Sequence, residues 1–150
     1  MIVAAPPVEY HEGCMTTRED VSSWVDRYEA AWRAPGTEAL RDVFAEDASY
    51  QQGPYQQRLV GLHTIAAMWD RQREGAHELF TLQTETVAVE GDTAVVRVEV
   101  QYGDPPLREY RDLWIVRFDA TGHCVAFEEW PFWPGQPINP DQSPPSATGG

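Results

Sequence analysis

Residues 93–132, TAVVRVEVQYGDPPLREYRDLWIVRFDATGHCVAFEEWPF, decide the fold of this chain. Three segments in this stretch are rich in β-branched and aromatic residues, namely Thr93–Tyr102, Leu107–Asp119 and Cys124–Phe132. The short turns between them contain Gly, Asp, Pro and Thr, which is typical of hairpins between antiparallel strands. With a further strand-like segment at His77–Glu90, the pattern predicts an antiparallel meander of four strands.

Helical patterns precede the meander. Apolar residues recur at helical spacing from Thr17 to Ala34, and Thr16 with Glu19 forms a capping-box pattern at the start of this helix. Helices followed by an antiparallel sheet make an α+β fold. The other predicted elements are a short helix at Glu38–Phe44, a short strand at Ala48–Gln52 and a third helix at Leu62–Glu74.

The charge balance argues against two classes of partner. The chain holds 11 Arg and no Lys against 24 Asp and Glu, a formal net charge of −13. Such a surface repels phosphate backbones and anionic lipids, so we expect no nucleic-acid and no membrane partner. No apolar run approaches the roughly 20 residues that cross a bilayer. The two cysteines, Cys14 and Cys124, are isolated, which favours a reduced, cytoplasmic protein.

A length of 150 residues fits one domain with two irregular ends. Residues 1–15 show no periodicity and are interpreted as a loose N-terminal arm. Residues 134–150 are rich in Pro, Gly and Ser, and they cannot bury enough apolar surface to offset their ordering entropy. We therefore expect a folded domain over residues 16–133 and a disordered tail after it.

Strand periodicity predicts two carboxylates on the sheet face that meets the helices. Alternation sends Asp112 inward with Trp114, and it places Glu129 on the same face as Val125 and Phe127. A carboxylate among aromatic rings is desolvated, which raises its pKa toward neutrality. That is the condition for a general acid or base, so Asp112 and Glu129 are candidate catalytic residues.

The first predicted helix carries an aromatic stripe of Trp24, Tyr28 and Trp32. Tyr28, at its centre, can donate a hydrogen bond to a substrate oxygen. Two plainer interpretations stay open: the stripe is only core, or the acids at the strand ends reach solvent or pair with Arg108 and Arg111.

Motifs for cofactors and metals are missing from the sequence. It contains no GxGxxG, no P-loop and no GxSxG elbow, and its four histidines do not have zinc-ligand spacing. We therefore expect no cofactor and no metal site. The roles of His63 and His77 stay unassigned.

The order of elements resembles a known family. Phe44-Ala45-Glu46-Asp47-Ala48, Gly61 before an amphipathic helix, and the turn Arg117-Phe118-Asp119-Ala120-Thr121-Gly122 together resemble the SnoaL-like branch of the nuclear-transport-factor-2-like superfamily over residues 17–133. The resemblance implies a cone-shaped curved antiparallel sheet, wrapped around three N-terminal helices and enclosing a deep apolar pocket. The family includes polyketide cyclases, ketosteroid isomerases, dehydratases and epoxide hydrolases, as well as members that only bind.

When the sequence is compared with the pattern of a ketosteroid isomerase, only one of that enzyme's three site residues is retained. The oxyanion-hole tyrosine falls on Tyr28, but the general base falls on Gln52 and the neutral aspartate falls on Trp114. Steroid-type isomerisation is therefore not expected. The resemblance implies an aromatic-walled cavity whose substrate-binding residues are Trp24, Trp32, Phe44, Tyr50, Gln52, Trp69, Val98, Val100, Trp114 and Phe127.

Two functions follow from this interpretation. One is an acid/base enzyme of the cyclase, dehydratase or isomerase type for a hydrophobic, cyclic or polyketide-like substrate. In it Asp112 moves a proton, Glu129 tunes or relays it, and Tyr28 with Gln52 holds an oxygen. The alternative is a non-catalytic binding module for an apolar or aromatic ligand.

A third interpretation is a structural or assembly role, in which the outer face of the sheet forms a homodimer. The homodimer is also compatible with either pocket function, and we expect it. Leu113, Ile115 and Trp130 fall on the outer face of the predicted sheet, where exposed apolar residues favour association.

Overall fold

The computed structural model describes residues 15–73, 79–139 and 141. Within these residues the chain forms two α-helices, α1 (Arg18–Arg33) and α2 (Leu62–Gln72), and one six-stranded sheet. The strands are β1 (Phe44–Gln51), β2 (Leu59–Val60), β3 (Phe80–Glu90), β4 (Thr93–Tyr102), β5 (Arg108–Phe118) and β6 (Cys124–Phe132).

The sheet has the strand order β2-β1-β6-β5-β4-β3. The four strands β3 to β6 form the predicted antiparallel meander. However, β1 lies parallel to β6, so the sheet is mixed rather than wholly antiparallel. The sequence did not reveal this pairing because the two strands are far apart in the chain and no hairpin turn joins them. Among the described residues the edge strands β2 and β3 do not pair, and the curved sheet stays open.

The predicted second helix is wrong in type and in length. Residues Glu38–Asp42 form a single 3-10 helix, and Thr37 makes no side-chain cap. The helix stops there because Val43 is fully buried and its carbonyl oxygen accepts hydrogen bonds from the Trp24 indole and the Cys124 amide. Phe44 then begins β1. The described chain therefore has two α-helices, not three.

The cap of α1 lies one residue later than predicted. Thr17 accepts a hydrogen bond from the Asp20 amide, and the Asp20 carboxylate accepts one from the Thr17 amide. This capping box replaces the predicted pair of Thr16 and Glu19, because the Thr16 amide donates instead to the Gly91 carbonyl oxygen. The helix start is thereby tied to the β3–β4 turn.

The core lies between α1 and the concave face of the sheet. The predicted inward phase is confirmed for β4 and β5, where Val96, Val98, Asp112, Trp114 and Val116 are all buried. Burying these apolar side chains contributes roughly 1.5–3 kcal/mol each. The α1 residues that complete this core are Val21, Trp24, Val25, Tyr28 and Ala31.

The prediction for β6 holds only in part. Phe127 is buried as expected, but Cys124 is also buried while Val125 is only half-buried. The pairing of β5 with β6 shifts between Arg117 and Phe118, which is the mark of a β-bulge. The extra residue turns Cys124 inward and interrupts the period-2 pattern on which the prediction rested.

The structure describes little of the two chain ends. Residues 1–14, 140 and 142–150 of the predicted arm and tail are not among the described residues, and residues 134–139 contain no helix or strand. No helix in the described part of the chain is long and apolar enough to span a membrane.

Candidate functional site

A pocket of about 290 Å³ lies between the C-terminal halves of the two helices and the concave side of the sheet. Its buried part is formed by Tyr28, Tyr50, Trp69 and Asp112, whereas its mouth includes the exposed Trp133. The lining is mixed in polarity, so the pocket is less apolar than the resemblance implies. The sixteen lining residues are Tyr28, Trp32, Tyr50, Gln52, Met68, Trp69, Gln72, Arg73, Val100, Tyr102, Arg108, Tyr110, Asp112, Glu129, Pro131 and Trp133.

Eight of the residues singled out in the sequence meet in this lining: Tyr28, Trp32, Tyr50, Gln52, Trp69, Val100, Asp112 and Glu129. The other five do not line it, and their assignment as pocket wall is corrected. They are at most 1 % exposed and pack against one another or against α1, so they form the core behind the wall. These five are Trp24, Phe44, Val98, Trp114 and Phe127.

The missed lining residues follow simple periodicities. Tyr102 lies two residues after Val100 on β4, and Tyr110 and Arg108 continue the inward phase of Asp112 on β5. Extending the period of two to the strand ends would have found them. The other missed residues lie on α2 and β6 or directly after them: Met68, Gln72, Arg73, Pro131 and Trp133. Of these, Gln72 and Arg73 follow Trp69 at helical spacing.

The centre of the site is a pair of carboxyl groups. Asp112 on β5 is only 6 % exposed, and Glu129 on the neighbouring strand β6, whose cross-strand partner is Trp114, lines the same pocket. Burial, followed by the negative charge of Glu129, raises the pKa of Asp112 to about 8. Nearby N–H groups at Trp114 and Phe132 act in the opposite direction on this pKa but are outweighed. Asp112 is therefore protonated at neutral pH.

Two polar atoms beside this pair lack partners. Asp112 Oδ1 and the Trp114 indole nitrogen are buried and form no hydrogen bond with any described residue. A buried carboxyl oxygen without a donor costs about 1–3 kcal/mol, and more if the group is charged. Protonation of Asp112 reduces that cost, and a ligand that donates to Oδ1 or accepts its proton would remove it.

Two buried phenols adjoin the carboxyl pair. The Tyr50 hydroxyl donates a hydrogen bond of 2.5 Å to Glu129 Oε2. Burial, and next the charge of Glu129, raise the pKa of both Tyr28 and Tyr50 well above the usual value, so both remain neutral donors. The Tyr28 hydroxyl lies beside that of Tyr50, and both rings are in the pocket lining.

Gln52 has a partner of its own. Its side-chain amide exchanges two hydrogen bonds of 3.1 Å with the amide of Gln72, so the two groups form a closed ring. Gln52 therefore fixes the end of β1 to α2. Neither amide titrates, and one donor hydrogen on each stays available to a ligand.

The described residues offer no arrangement suited to a metal ion, since no three His, Cys, Asp or Glu side chains meet among them. His63 is exposed near the start of α2 and does not line the pocket. His77 lies outside the described residues.

Comparisons with known proteins agree on one fold. The family model described as "SnoaL-like domain" matches residues 25–130, more than half of the chain. No curated protein sequence matches.

Solved structures similar to this chain share its fold at low identity. An NTF-2-like protein of unknown function from Burkholderia xenovorans LB400 is 18% identical, with a TM-score of 0.61 over 77% of this chain and 85% of that one. A proposed polyketide cyclase from Sinorhizobium meliloti is 22% identical, with a TM-score of 0.57 over 76% and 99%. A proposed ketosteroid isomerase from Kribbella flavida is 18% identical, with a TM-score of 0.56 over 83% and 84%.

Proposed function

Because this chain belongs to the SnoaL-like domain family, we propose that it is an acid/base enzyme of the cyclase, dehydratase or isomerase type. Its substrate is a small hydrophobic molecule, cyclic or polyketide-like, that binds in the pocket between the helices and the sheet. One observation carries the proposal: two carboxyl groups, Asp112 and Glu129, project from adjacent strands into one pocket, and seven of the sixteen residues that line it are aromatic. The similarity to a proposed polyketide cyclase and a proposed ketosteroid isomerase supports this choice of reaction class.

The two carboxyl groups have complementary roles in the proposed reaction. Protonated Asp112 gives its proton to a carbonyl or hydroxyl oxygen of the substrate, and the Glu129 carboxylate accepts the proton that leaves the adjacent carbon. Proton exchange between the two carboxyl groups then returns the proton from Glu129 to Asp112, so the pair ends as it began. Tyr28, a neutral donor in the same lining, holds the substrate oxygen.

The pocket also supplies the environment that such proton transfer needs. Tyr28, Tyr50 and Trp69 are almost completely buried, so a bound ring displaces water from the carboxyl pair. Exclusion of water strengthens each electrostatic interaction at the reacting atoms, and fixed geometry replaces a bimolecular encounter.

The test is exchange of the acidic C–H protons of 1-tetralone, a two-ring ketone, in deuterated water, followed by proton NMR. We expect the protein to accelerate exchange at least about 100-fold over buffer. Asp112→Asn should remove this acceleration while the affinity for 1-tetralone, measured by calorimetry, stays within about twofold. The exposed carboxylate Asp26 on α1 provides the matched control, since Asp26→Asn should leave both quantities unchanged.

The amide pair of Gln52 and Gln72 favours a second candidate function, a non-catalytic binding module. A side chain that cannot take a proton stands where the isomerase-type resemblance has its base. If 1-tetralone binds the wild-type protein but its exchange is not accelerated, the enzyme proposal is wrong and the binding module is favoured.

We further propose that two copies pair through the outer face of the sheet. Leu113 and Trp130 face each other across β5 and β6, and with Ile115 they form an apolar patch that one chain leaves only half-buried. A cytoplasmic setting also belongs to this proposal, because Cys124 is a free, buried thiol.

A further inference from the structure

Arg73 ends α2 and is held in the pocket wall by an unusual set of contacts. It is half-buried, and its guanidinium group donates hydrogen bonds to the carbonyl oxygens of Trp32, Ala34 and Gly36. The same group lies over the ring of Trp69 at 5.6 Å. Its position is therefore fixed before any ligand arrives, which lowers the entropic cost of binding.

The positive charge of Arg73 is not neutralised by these contacts. All three acceptors are backbone carbonyl oxygens, and no carboxylate of a described residue lies within ion-pair distance of the guanidinium group. A guanidinium group has five N–H donors, of which these bonds use three. Two donors of this half-buried cation, in the lining of the pocket, thus have no partner among the residues that the structure describes.

Aromatic residues line the pocket beside this cation. Trp32 and Trp69, whose atoms contact Arg73, both line the pocket, and Tyr102 lies next to Trp32 with ring centroids 6.3 Å apart. A second guanidinium group, that of Arg108, lies over the Tyr102 ring at 5.0 Å and lines the same pocket. Flat rings beside a guanidinium group suit a flat ligand that carries an anionic group at one end.

We propose that the substrate carries a carboxylate, that Arg73 binds this carboxylate, and that the substrate ring lies among Trp32, Trp69 and Tyr102. The inference deepens the proposed function and rests on it for the identity of the pocket as the substrate site. It narrows the substrate class from hydrophobic cyclic molecules to cyclic carboxylic acids in their ionised form.

The overall negative charge does not prevent this binding. A net charge of −13 lowers the rate at which an anion approaches, but charges in water are screened beyond about 8 Å at physiological salt. At contact the fixed guanidinium group dominates, because hydrogen bonds between a guanidinium and a carboxylate are roughly twice as strong as neutral ones. Asp112, protonated at neutral pH, adds no repulsion, so among the described residues Glu129 is the one acidic residue of the lining whose charge opposes the anion.

A pair of matched ligands tests the proposal without knowledge of the natural substrate. 2-Naphthoate and 2-naphthamide share one ring system and nearly one shape, and only the former is an anion at neutral pH. By calorimetry, we expect the wild-type protein to bind 2-naphthoate at least about tenfold more tightly than 2-naphthamide. Equal affinities, or no binding of 2-naphthoate, would overturn the proposal.

Variants assign the preference to Arg73. Arg73→Gln should reduce the naphthoate-to-naphthamide ratio to about one, whereas Arg71→Gln, an exposed arginine on the same helix outside the lining, should keep it. If Arg73 has only a structural role, Arg73→Gln should lower stability and leave the naphthoate-to-naphthamide ratio unchanged. That result would contradict the inference. Should Arg73→Gln fail to fold, Arg73→Lys retains the charge, and the ratio in the wild-type protein still decides.

The outcome is separable from that of the proposed function. Ligand preference is measured at equilibrium and needs no proton transfer, whereas 1-tetralone exchange depends on Asp112 and uses a ligand without an anionic group. A preference for 2-naphthoate with unaccelerated exchange would support an acid-binding pocket and refute the enzyme. Accelerated exchange with no preference would refute the carboxylate assignment alone.

Discussion

Tyr50 and Glu129 are joined by a hydrogen bond of 2.5 Å from the phenol hydroxyl to Oε2, across the parallel pair β1 and β6. This bond leaves Glu129 with a fixed donor on one side and Asp112 on the other. The carboxyl pair is thereby asymmetric: one member has a donor from the protein, and the other keeps a buried oxygen without one.

The stability of the protein should depend on pH through Asp112. Its folded-state pKa of about 8 lies above the unfolded value of about 4, so the folded state binds more protons between these limits. The free energy of unfolding should therefore fall as pH rises from about 5 to about 8, by up to about 1.4 kcal/mol per pH unit. Urea unfolding over this range measures the slope.

Asp112→Asn cannot ionise and should lose most of that slope, so it gains stability over the wild-type protein as pH rises. The exposed Asp26→Asn serves as control and should follow the wild-type profile. An identical slope in Asp112→Asn would show that this carboxyl group titrates normally.

Removing the Tyr50 hydroxyl should destabilise the site. Tyr50→Phe leaves Glu129 Oε2 without its donor, and a hydrogen bond to a charged group contributes about 1.5–3 kcal/mol. Thermal unfolding measures the loss. Tyr110→Phe removes a less buried phenol hydroxyl from the same lining and should cost less. Equal effects of the two variants would mean that the bond to Glu129 adds no stability.

Substitutions of Trp24 and Trp133 should distinguish a residue of the core from a residue of the pocket. Trp24 is 0 % exposed and its indole donates to the Val43 carbonyl oxygen, so Trp24→Phe should cost about 2–4 kcal/mol. Trp133 is 48 % exposed at the pocket mouth, and Trp133→Phe should change stability by less than about 0.5 kcal/mol while weakening the binding of 1-tetralone. Urea unfolding and calorimetry on both variants measure these effects. A reversal of the two patterns would refute the corrected assignment of Trp24.

Two glycines with positive φ should differ in their tolerance of alanine. Gly103 has φ +90, and a Cβ there would come within 3.1 Å of the Pro105 carbonyl oxygen, whereas Gly91 has φ +59 and open space around it. Gly103→Ala should therefore cost about 2–3 kcal/mol and Gly91→Ala about 1 kcal/mol. Melting temperatures of the two variants give the comparison, and a more harmful Gly91→Ala would contradict it.

The proposed dimer predicts a charge-sensitive interface. Leu113→Arg places a cation in the middle of the outer apolar patch, so it should convert a dimer to a monomer in analytical ultracentrifugation. Asp26→Arg, which places the same cation on the exposed side of α1, across the sheet from this patch, is the control and should leave the mass unchanged. A wild-type protein that sediments as a monomer at micromolar concentration would refute the proposal.

Periodicity predicted those features that alternate within one strand. The inward position of Asp112 followed from the period of two, and the antiparallel meander followed from its short turns. The features that the sequence did not predict depend on distant parts of the chain. The pairing of β1 with β6 has no local signal, and the bulge before Phe127 shifts the phase without any Gly or Pro to mark it.

The pocket residues divide in the same way, into those that a local pattern places and those that depend on tertiary contacts. Tyr28 and Asp112 could be placed because each lies on a regular element whose buried face is written in the sequence. Helical spacing from Trp69 could have placed Arg73 on the pocket side, but its fixed position could not be predicted, since it depends on how the end of α2 meets the carbonyl groups that end α1. Contacts of this kind are fixed by tertiary packing rather than by local pattern.

The strand order also determines how early the domain can finish folding during its synthesis on the ribosome. β6, the last described strand to be synthesised, is an interior strand with β1 on one side and β5 on the other. A nascent chain that stops before it has two separate half-sheets, and the bond between Tyr50 and Glu129 spans 79 residues. Such non-local closure slows folding. The cavity therefore cannot take shape until almost the entire domain has left the exit tunnel.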